Sequence, residues 1–308
     1  CNGYAELCDR PYSAVVYPTT HNSYASYAGI AGNQNKDISI QLQDGIRALQ
    51  LDFLPSSNDT NVVELCHTQC LFLDAGPATL ALRNITTFLN NNPREVVTIL
   101  IENAGRLGVQ QMASAFEEVG LDKYAWTQSS SGSNSTSNGS SGALDWPTLQ
   151  TMIDQNKRLV VFTDTGADAN TVSWIHAEYT YAWETPWQTI LGEQFSCVVD
   201  RPSTSAQPAL GSLQVFNHFV YQNQQFLSAQ YQISVPASAN TTNSLESLQN
   251  HYDSCQAVYA TLPGPTSGGS GNSTNSTVLP RVPNFVAVDY YNVGDLFRFV
   301  AEVNNVTY

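Results

Sequence analysis

Short apolar runs recur along the chain and alternate with stretches whose apolar residues follow a helical spacing. Runs dense in Val, Ile and Leu, such as VVTILIE at 96–102, predict strands buried on both faces, as in a parallel sheet. Apolar residues three and four positions apart predict helices over 77–92 and 109–120. The predicted strands cover residues 13–18, 46–54, 96–102, 158–164, 179–183, 212–217 and 284–291.

The alternation of strands and helices over 308 residues predicts an α/β fold. A distorted TIM-type (β/α)8 barrel is the first choice, with a doubly wound sheet as the second. One domain over 1–308 accounts for the whole chain, since this length can bury one large core. Two tracts rich in Ser, Gly and Asn, 127–145 and 264–278, predict flexible surface insertions within that domain.

Six cysteines form an even set with short local spacings, which indicates a disulfide framework. Six cysteines allow about fifteen pairings, and we favour the one that joins near neighbours and leaves a single remote pair. Zinc bound by the close pair at 66 and 70 is the alternative, although no second pair with similar spacing accompanies it. The predicted disulfides are Cys1–Cys8, Cys66–Cys70 and Cys197–Cys255.

Composition indicates a secreted, glycosylated protein. The 26 Asp and Glu residues outnumber 12 Lys and Arg, giving a net charge of −14, which disfavours nucleic acid as a partner. No apolar run reaches the ~18 residues of a transmembrane segment, and any signal peptide before Cys1 has been removed or is absent. The cysteines and the sequons for N-glycosylation support secretion, and we expect an extracellular monomer. Sequons for N-glycosylation occur at Asn58, Asn84, Asn134, Asn138, Asn240, Asn272, Asn275 and Asn305.

Polar residues stand where several predicted strands end. His21 and Asn22 follow the first strand, Asp52 lies at the end of the second, and Glu102 ends the third. Because the carboxyl ends of barrel strands converge on one face, where active sites of this fold are built, we expect these residues to form a site. A His–Asn pair alone could equally cap a helix or satisfy buried backbone groups. Further strand-end residues are Asn103, Asp164, Asn217, His218 and Asp289.

Four ordered segments resemble the catalytic X region of phosphatidylinositol-specific phospholipase C and its secreted fungal phosphodiesterase relatives. They are THNSY at 20–24, DGIRALQLDF at 44–53, ELCHT at 64–68 and REVVTILIEN at 94–103. The opening CNGYAELCDRPY and the later VPNFVAVDYYNVGDLF extend the resemblance to the fungal branch. The resemblance implies a distorted TIM barrel that cleaves the glycerol-side phosphodiester bond of phospholipids at a membrane or micelle surface.

The same resemblance implies that His21 and His67 are the two catalytic histidines. Phosphodiester cleavage needs a base for the nucleophile and an acid for the departing glycerol oxygen, and imidazole can serve as either near pH 7. Asp289 could hold the imidazolium of His21 by accepting from its other ring nitrogen. Arg47 is an open case, because it could contact the phosphate or form an ion pair in the barrel wall.

Asn22, Asp52 and Glu102 match the oxygen ligands of the divalent metal in the eukaryotic branch, so calcium is expected, with magnesium possible. Gln50 stands where that branch has a further acidic ligand, which should weaken metal binding or change the preferred ion. The metal-free bacterial branch instead has an arginine just after the aspartate, where this chain has Phe53. The residues therefore favour a metal site.

Three classes of function stay open on the sequence. A phospholipase C-type phosphoric diester hydrolase, acting on phosphatidylinositol or other glycerophospholipids, would use all the residues named above. A catalytically silent module that binds lipid or glycan would need no acid–base pair. A secreted glycosidase could use Glu102 and Asp289 as its two carboxylates, but would leave His21 and His67 idle. The sequence therefore favours the hydrolase and leaves the head group and the product, cyclic phosphate or phosphomonoester, open.

Overall fold

The computed structural model describes residues 1–26, 31–67, 70, 73–128, 146–203, 213–226, 229–261 and 281–308. The two predicted insertions, 127–145 and 264–278, lie outside the described residues except for 127 and 128. Within these ranges, every helix is too short or too polar to cross a bilayer.

Twelve strands are present in the described part of the chain. Eight of them form one curled parallel sheet, and the other four form antiparallel additions to it or a separate hairpin. The strands are β1 (Tyr17–Thr20), β2 (Ala48–Pro55), β3 (Val63–Cys66), β4 (Asp74–Pro77), β5 (Val97–Glu102), β6 (Leu159–Thr163), β7 (Ile175–Ala177), β8 (Ala182–Glu184), β9 (Leu213–Asn217), β10 (Tyr221–Phe226), β11 (Ala229–Ser234) and β12 (Phe285–Val288).

The parallel sheet is an open barrel, with strand order β7-β6-β5-β2-β1-β12-β9-β8. Its two edges, β7 and β8, are joined only by the single turn of helix α5 (Glu178–Tyr181). Neighbouring parallel strands need a connection of about a dozen residues or more, so this short link cannot close the barrel between β7 and β8. The predicted α/β barrel is therefore present in a distorted, open form.

Most of the helices pack on the outer face of this sheet. Helix α1 (Ile38–Asp44) begins where the Asp37 side chain accepts a hydrogen bond from the backbone N–H of Ile40, and it ends at Gly45, whose φ of 115° suits a residue without a side chain. The other helices are α2 (Ala78–Asn91), α3 (Val109–Glu118), α4 (Leu149–Asp154), α6 (Ala239–Thr242), α7 (Leu245–Tyr259) and α8 (Leu296–Val303).

Side chains of each barrel strand alternate between the two faces of the sheet. Leu49 and Leu51 of β2 pack with the helices in one core cluster, whereas Ala48 packs with the second cluster inside the barrel. On β5, Ile99 and Ile101 likewise face the helices, and Leu100 faces the interior. Because successive side chains point to opposite faces, Gln50, Asp52 and Glu102 must point into the barrel.

The two long predicted helices are confirmed as α2 and α3, but two of the predicted strands differ from the structure. Residues 12–14 form a 3₁₀ turn, so the first strand begins only at Tyr17. The predicted strand 179–183 is split, because Glu178–Tyr181 is the helical turn α5 and β8 starts at Ala182. Its Tyr and Thr residues have high strand propensity, and the tertiary fold overrides that preference.

Three disulfides join Cys1 to Cys8, Cys66 to Cys70 and Cys197 to Cys255, which confirms the predicted pairing and overturns the zinc alternative. The Cys197–Cys255 bond ties the segment after β8 to α7. The four described sequon asparagines, Asn58, Asn84, Asn240 and Asn305, are exposed, and their glycosylation stays a prediction. The sequons at Asn134, Asn138, Asn272 and Asn275 lie outside the described residues.

The loop after β5 passes so close to β2 that only glycine fits at position 105. A Cβ there would lie 2.5 Å from Cδ of Pro55 and 2.9 Å from Cα of Leu54. Overpacking of this kind costs about 1–3 kcal/mol, and each kcal/mol shifts the melting temperature of a large domain by about 2–4 °C. We therefore expect Gly105→Ala to lower the melting temperature by about 2–10 °C, measured by circular dichroism.

Gly108 provides the matched control, because a Cβ added there meets no atom within 4 Å. Gly108→Ala should shift the melting temperature by no more than about 2 °C. Equal shifts in the two variants would contradict the close approach at Gly105.

Candidate active site

The carboxyl ends of the barrel strands surround a cavity of about 290 Å³. Residues at or after the ends of most of the barrel strands reach its wall, as the convergence of strand ends predicts. Seven of the residues that the sequence singled out line it: His21, Asn22, Asp52, His67, Glu102, Asp164 and Asn217.

His21 follows β1, and neighbouring side chains hold its ring on several sides. Its Nδ1 lies 2.8 Å from Oδ1 of Asp289, which follows β12. A carboxylate only accepts hydrogen bonds, so Nδ1 carries the proton and Nε2 is left as the basic nitrogen of the neutral ring. Phe219 stacks on the imidazole with centroids 3.8 Å apart and planes within 3°. The hydroxyl of Tyr221 lies 3.4 Å from Nε2.

Asn33 fixes the carboxylate that orients His21. Its Nδ2 donates to Oδ1 of Asp289 at 3.0 Å, and its Oδ1 accepts from Nδ2 of Asn22 at 3.2 Å. Asn22 has a left-handed backbone with φ of 43°, a conformation that asparagine tolerates better than most residues. This small network links a predicted metal ligand to the predicted histidine–aspartate pair through a residue that the sequence did not single out.

His67 reaches the cavity from the antiparallel strand β3 rather than from the barrel sheet. Its Nδ1 lies 2.9 Å from the carbonyl oxygen of Ala31, to which it donates, so Nε2 is free to face the cavity. Its position lies between the disulfide-bonded Cys66 and Cys70. Burial lowers the pKa of His67, and the hydrogen bond to Ala31 only partly offsets that effect.

Asp52 and Glu102 lie side by side, because the parallel register of β2 and β5 places these two residues opposite each other. Burial, followed by the charge of Glu102, raises the pKa of Asp52 well above its ordinary value. Burial also raises the pKa of Glu102. The Asp52 side chain is buried, whereas that of Glu102 lies in the cavity wall and is open to the cavity. Two neighbouring carboxylates repel each other when both are ionised, and a bound cation would relieve that repulsion.

The donor set around these carboxylates fits a hard divalent cation. Oε1 of Gln50 is buried without a hydrogen-bond partner and belongs to the same cavity wall. Asn22 uses its Nδ2 on Asn33, and within the described residues its Oδ1 accepts no hydrogen bond. With Asp52 and Glu102, these amides offer the oxygen ligands that calcium and magnesium prefer. Gln50 thus keeps an oxygen donor where an acidic ligand was expected, but without its charge.

A second group of potential ligand side chains in the described residues, Glu64 with Cys66 and Cys70, is not a metal site. The ligand atoms of Glu64, Cys66 and Cys70 lie within 4.8 Å of one another. The two cysteine sulfurs are bonded to each other, so they are not available as thiolate ligands.

The opposite wall of the cavity carries an ion pair that the sequence did not predict. Nη2 of Arg201 lies 2.6 Å from Oε2 of Glu184, the last residue of β8. The same carboxylate accepts from Nδ2 of Asn217 at 3.0 Å and from the hydroxyl of Tyr179 at 3.0 Å. The Arg201 guanidinium also lies 5.6 Å from the centre of the Trp187 ring. Within the described residues, Arg201 is the one Lys or Arg that lines the cavity.

Arg47 lies away from this cavity, so a phosphate contact at this residue is wrong. It precedes β2 at the opposite end of the barrel, where Nε lies 2.7 Å from Oε2 of Glu95. Nη1 donates to the carbonyl oxygens of Leu42 and Ile46, both at 2.8 Å. The barrel-wall ion pair that the sequence left open as the alternative is what the structure contains.

His218 is also separate from the cavity, although it follows β9. Its Nδ1 lies 3.0 Å from Nδ1 of His251, and its Nε2 lies 2.8 Å from the carbonyl oxygen of Thr242. Phe195 stacks on its ring with centroids 4.0 Å apart. Burial lowers the pKa of His218 to about 4. It is a satisfied core histidine, the alternative that the sequence allowed.

Three comparisons with known proteins agree with one another. A model of the family described as PI-PLC X 1 matches residues 7–265. An uncharacterized secreted protein of Arthroderma benhamiae is 33% identical over 316 aligned residues, which cover 100% of this chain but only 64% of that relative's length. A PI-PLC X domain-containing protein 1 of the same fungus is 32% identical, covering 99% of this chain and 90% of the relative.

Solved structures confirm the barrel. A phosphatidylinositol-specific phospholipase C of Staphylococcus aureus superposes with a TM-score of 0.54 at 12% identity, covering 99% of this chain and 96% of the other. The corresponding enzyme of Listeria monocytogenes gives a TM-score of 0.54 at 12% identity, covering 100% and 97%. At such low identity these structures establish the fold alone. The family model and the fungal relatives carry the assignment further: the chain belongs to the PI-PLC X family.

Proposed function

We propose that this protein is a phospholipase C-type phosphoric diester hydrolase that cleaves the glycerol-side phosphodiester bond of phospholipids. The observation that carries the proposal is the His21–Asp289 pair, whose Nε2 faces a cavity that also contains His67, Asp52 and Glu102. Family membership and the phospholipase C fold of its structural neighbours support the same reaction class.

The two histidines divide the proton transfers. For an inositol lipid, Nε2 of His21 takes the proton of the 2-hydroxyl, whose oxygen attacks phosphorus while the bond to the glycerol oxygen breaks. His67 must be an imidazolium to act as the acid, and the negative charge of the bound phosphodiester favours that form. It then gives the proton on Nε2 to the departing oxygen, which leaves diacylglycerol, a cyclic phosphate and neutral His67. Water as the nucleophile would give a phosphomonoester instead. Asp289 stabilises the imidazolium that forms on His21.

Neutralising the phosphodiester charge requires a cation that the protein itself does not supply. Arg201, the one Lys or Arg in the cavity wall of the described chain, is already paired with Glu184. A divalent ion held by oxygens of Asn22, Gln50, Asp52 and Glu102 would supply that charge when bound. We favour calcium, since it accepts irregular sets of oxygen ligands, and magnesium is the alternative.

The setting of the reaction follows from the same features. We propose a secreted glycoprotein, because one relative is named a secreted protein and the four described sequons are exposed. Its substrate is a phospholipid in a membrane or micelle, and a monomer contains every residue of the mechanism. A glycosidase that uses Glu102 and Asp289 is less compatible with this geometry, because Asp289 is engaged by His21 and Asn33.

Phosphorus NMR of the products tests the proposed function directly. The purified protein is incubated with mixed micelles of glycerophospholipids, with calcium and with chelator. Formation of diacylglycerol together with a cyclic phosphate or a phosphomonoester is expected. An unchanged phosphorus spectrum in the presence of calcium or magnesium would overturn the proposal.

Replacing either catalytic histidine should abolish most of the activity. We expect His21→Ala and His67→Ala each to lower turnover by ~10²- to 10⁴-fold, since each loses one proton-transfer step. His176→Gln is the control, because His176 contacts the Trp126 carbonyl oxygen and does not line the cavity. Circular dichroism confirms that each variant is folded, and near-normal turnover in either alanine variant would remove that histidine from the mechanism.

His67 should be neutral in the free protein near pH 7, because burial lowers its pKa. The unfolded chain keeps the ordinary value of about 6.5, so it binds the proton first as the pH falls. The contribution of His67 to stability should therefore be intact above about pH 6.5 and be lost as the pH falls further. NMR titration of the imidazole measures the pKa, with His67→Gln for assignment. A midpoint at or above 6.5 would contradict the burial.

Metal binding should be visible as thermal stabilisation. Calcium at about 100 times its dissociation constant should stabilise the folded protein by about 2.7 kcal/mol, whereas Asp52→Asn should lose most of that shift. In chelator at pH 7, Asp52→Asn should instead melt higher than the wild type, because the raised pKa makes the buried carboxylate unfavourable to ionise. Glu117→Gln, on the exposed side of α3, is the control. A calcium shift that survives in Asp52→Asn would exclude this ligand set.

A further inference from the structure

The part of the cavity wall that faces the ends of β6, β7 and β8 has no assigned role in the mechanism above. It consists of Asp164, Glu178, Glu184, Trp187 and Arg201, and we name these five residues the acidic wall. Three carboxylates, one guanidinium and one indole ring therefore meet in the same cavity as His21. Charge and hydrogen bonding within this group decide what it can bind.

The only positive charge in the acidic wall is already balanced. Arg201 is paired with Glu184 at 2.6 Å, and Glu184 also accepts from Asn217 and Tyr179. Burial by itself would lower the pKa of Arg201, but the carboxylates around it raise it, so its charge is permanent and locally compensated. Asp164 and Glu178 are left without a cationic partner within the described residues.

Glu178 is the more informative of these two carboxylates. Its side chain lies in the wall of the cavity, the residue is only 5% exposed, and it has no hydrogen-bond partner within the described residues. Burial, then the nearby charge of Glu184, raises its pKa well above the ordinary value. A buried carboxylate with no partner is unfavourable, and a cation beside it would both satisfy and ionise it.

The acidic wall lies next to the reacting centre. Trp187 packs edge-on against Tyr221, with ring centroids 6.3 Å apart. The hydroxyl of Tyr221 lies 3.4 Å from Nε2 of His21. One aromatic side chain therefore separates the wall from the proposed base. A head group esterified to a phosphate beside His21 would extend toward the wall.

We propose that the acidic wall binds the ammonium group of a zwitterionic glycerophospholipid, so that this chain prefers ethanolamine or choline head groups over anionic ones. This inference rests on the proposed function. Five carboxylates line the whole cavity against one guanidinium, so negative charge exceeds positive charge when they are ionised, even with a divalent ion bound. An anionic lipid with an uncharged head group adds negative charge there. An ammonium group instead places positive charge beside the carboxylates of the acidic wall.

The two kinds of ammonium head group would use different parts of the wall. A primary ammonium donates hydrogen bonds, which the carboxylate of Glu178 can accept, as can that of Asp164, whose Oδ1 also accepts from the backbone N–H of Asn103. A trimethylammonium has no N–H, and it is attracted instead to aromatic faces such as those of Trp187 and Tyr221 together with the nearby negative charge. Substrates of both kinds are therefore separate arms of the experiment.

The test compares kcat/KM for four lipids at equal mole fraction in detergent micelles with calcium. The lipids carry ethanolamine, choline, inositol or glycerol head groups. A charge-assisted contact should favour at least one of the ammonium lipids by about 10- to 100-fold over the inositol and glycerol lipids. Glu178→Gln should remove most of that preference while changing hydrolysis of the glycerol lipid by less than about threefold. Glu117→Gln, on the surface of α3, should keep the wild-type preference.

A binding measurement separates this inference from the proposed reaction. Calorimetry with phosphoethanolamine, phosphocholine and glycerol phosphate reports recognition without turnover. Tighter binding of an ammonium phosphate, lost in Glu178→Gln, would support the acidic wall even if no lipid were cleaved, and that result would overturn the proposed reaction alone. Cleavage without preference, or a preference that Glu178→Gln retains, would overturn the head-group inference and leave the reaction standing.

A second variant guards against misfolding of the first. If Glu178→Gln does not fold, as judged by circular dichroism, Trp187→Leu is compared with the wild type on the choline and glycerol lipids. A selective loss on the choline lipid is expected, because the aromatic face is removed. An equal effect on both lipids would overturn the inference.

Discussion

Two carboxylates that face the cavity from adjacent parallel strands are the constraint on which the site depends. The register of β2 and β5 sets Asp52 opposite Glu102, and the alternation of side chains turns both toward the barrel interior. Leu51 and Ile101 precede the two carboxylates on their strands. Both pack against the helices and hold that register. A one-residue slip would move the carboxylates into the helix-facing core, where they would have no solvent and no cation. Packing on one face of the sheet therefore dictates the chemistry on the other.

The same acidity makes the cavity dependent on charges that the protein does not provide. Of the described residues that line it, only Arg201 is a permanent cation, and Glu184 already neutralises it. Carboxylates without a neutralising cation therefore occur at two parts of the cavity. One pair is Asp52 and Glu102, and the other is Asp164 and Glu178. A divalent ion would neutralise the first pair, and a cationic head group would neutralise the second. The net charge of −14 over the chain adds to the need for positive charge at both parts of the cavity.

Sequence reasoning succeeded where the signal was local. Continuous Val, Ile and Leu runs identified β2, β5 and β6. Polar residues where strands end identified His21, Asp52 and Glu102 as members of one site. It also found Asp289, because the apolar strand before it is unmistakable. The disulfide pairs followed from spacing alone.

The residues that were missed have no local signal. Asn33 and Arg201 lie in irregular segments, and only the three-dimensional contacts with Asp289 and Glu184 reveal them. Strands β7 and β8 have three residues each, too few for a periodic pattern to emerge. The β10–β11 hairpin was missed because its strands, YQNQQF and AQYQIS, are rich in glutamine and lack an apolar alternation. The prediction for Arg47 failed for a different reason. Its charge suggested a contact with phosphate, but Arg47 precedes β2 and so lies at the end of the barrel away from the cavity.

The two histidines proposed to be catalytic are held by different parts of the fold, which bears on how precisely each is placed. His21 directly follows a barrel strand, and it is fixed by Asp289 and by the face of Phe219. His67 comes from the added strand β3, where the Cys66–Cys70 bond and the carbonyl oxygen of Ala31 restrain it instead. A displacement of about 1 Å can lower a rate ~10²-fold. The small Cys66–Cys70 disulfide ring therefore helps to position His67, as the barrel strand positions His21.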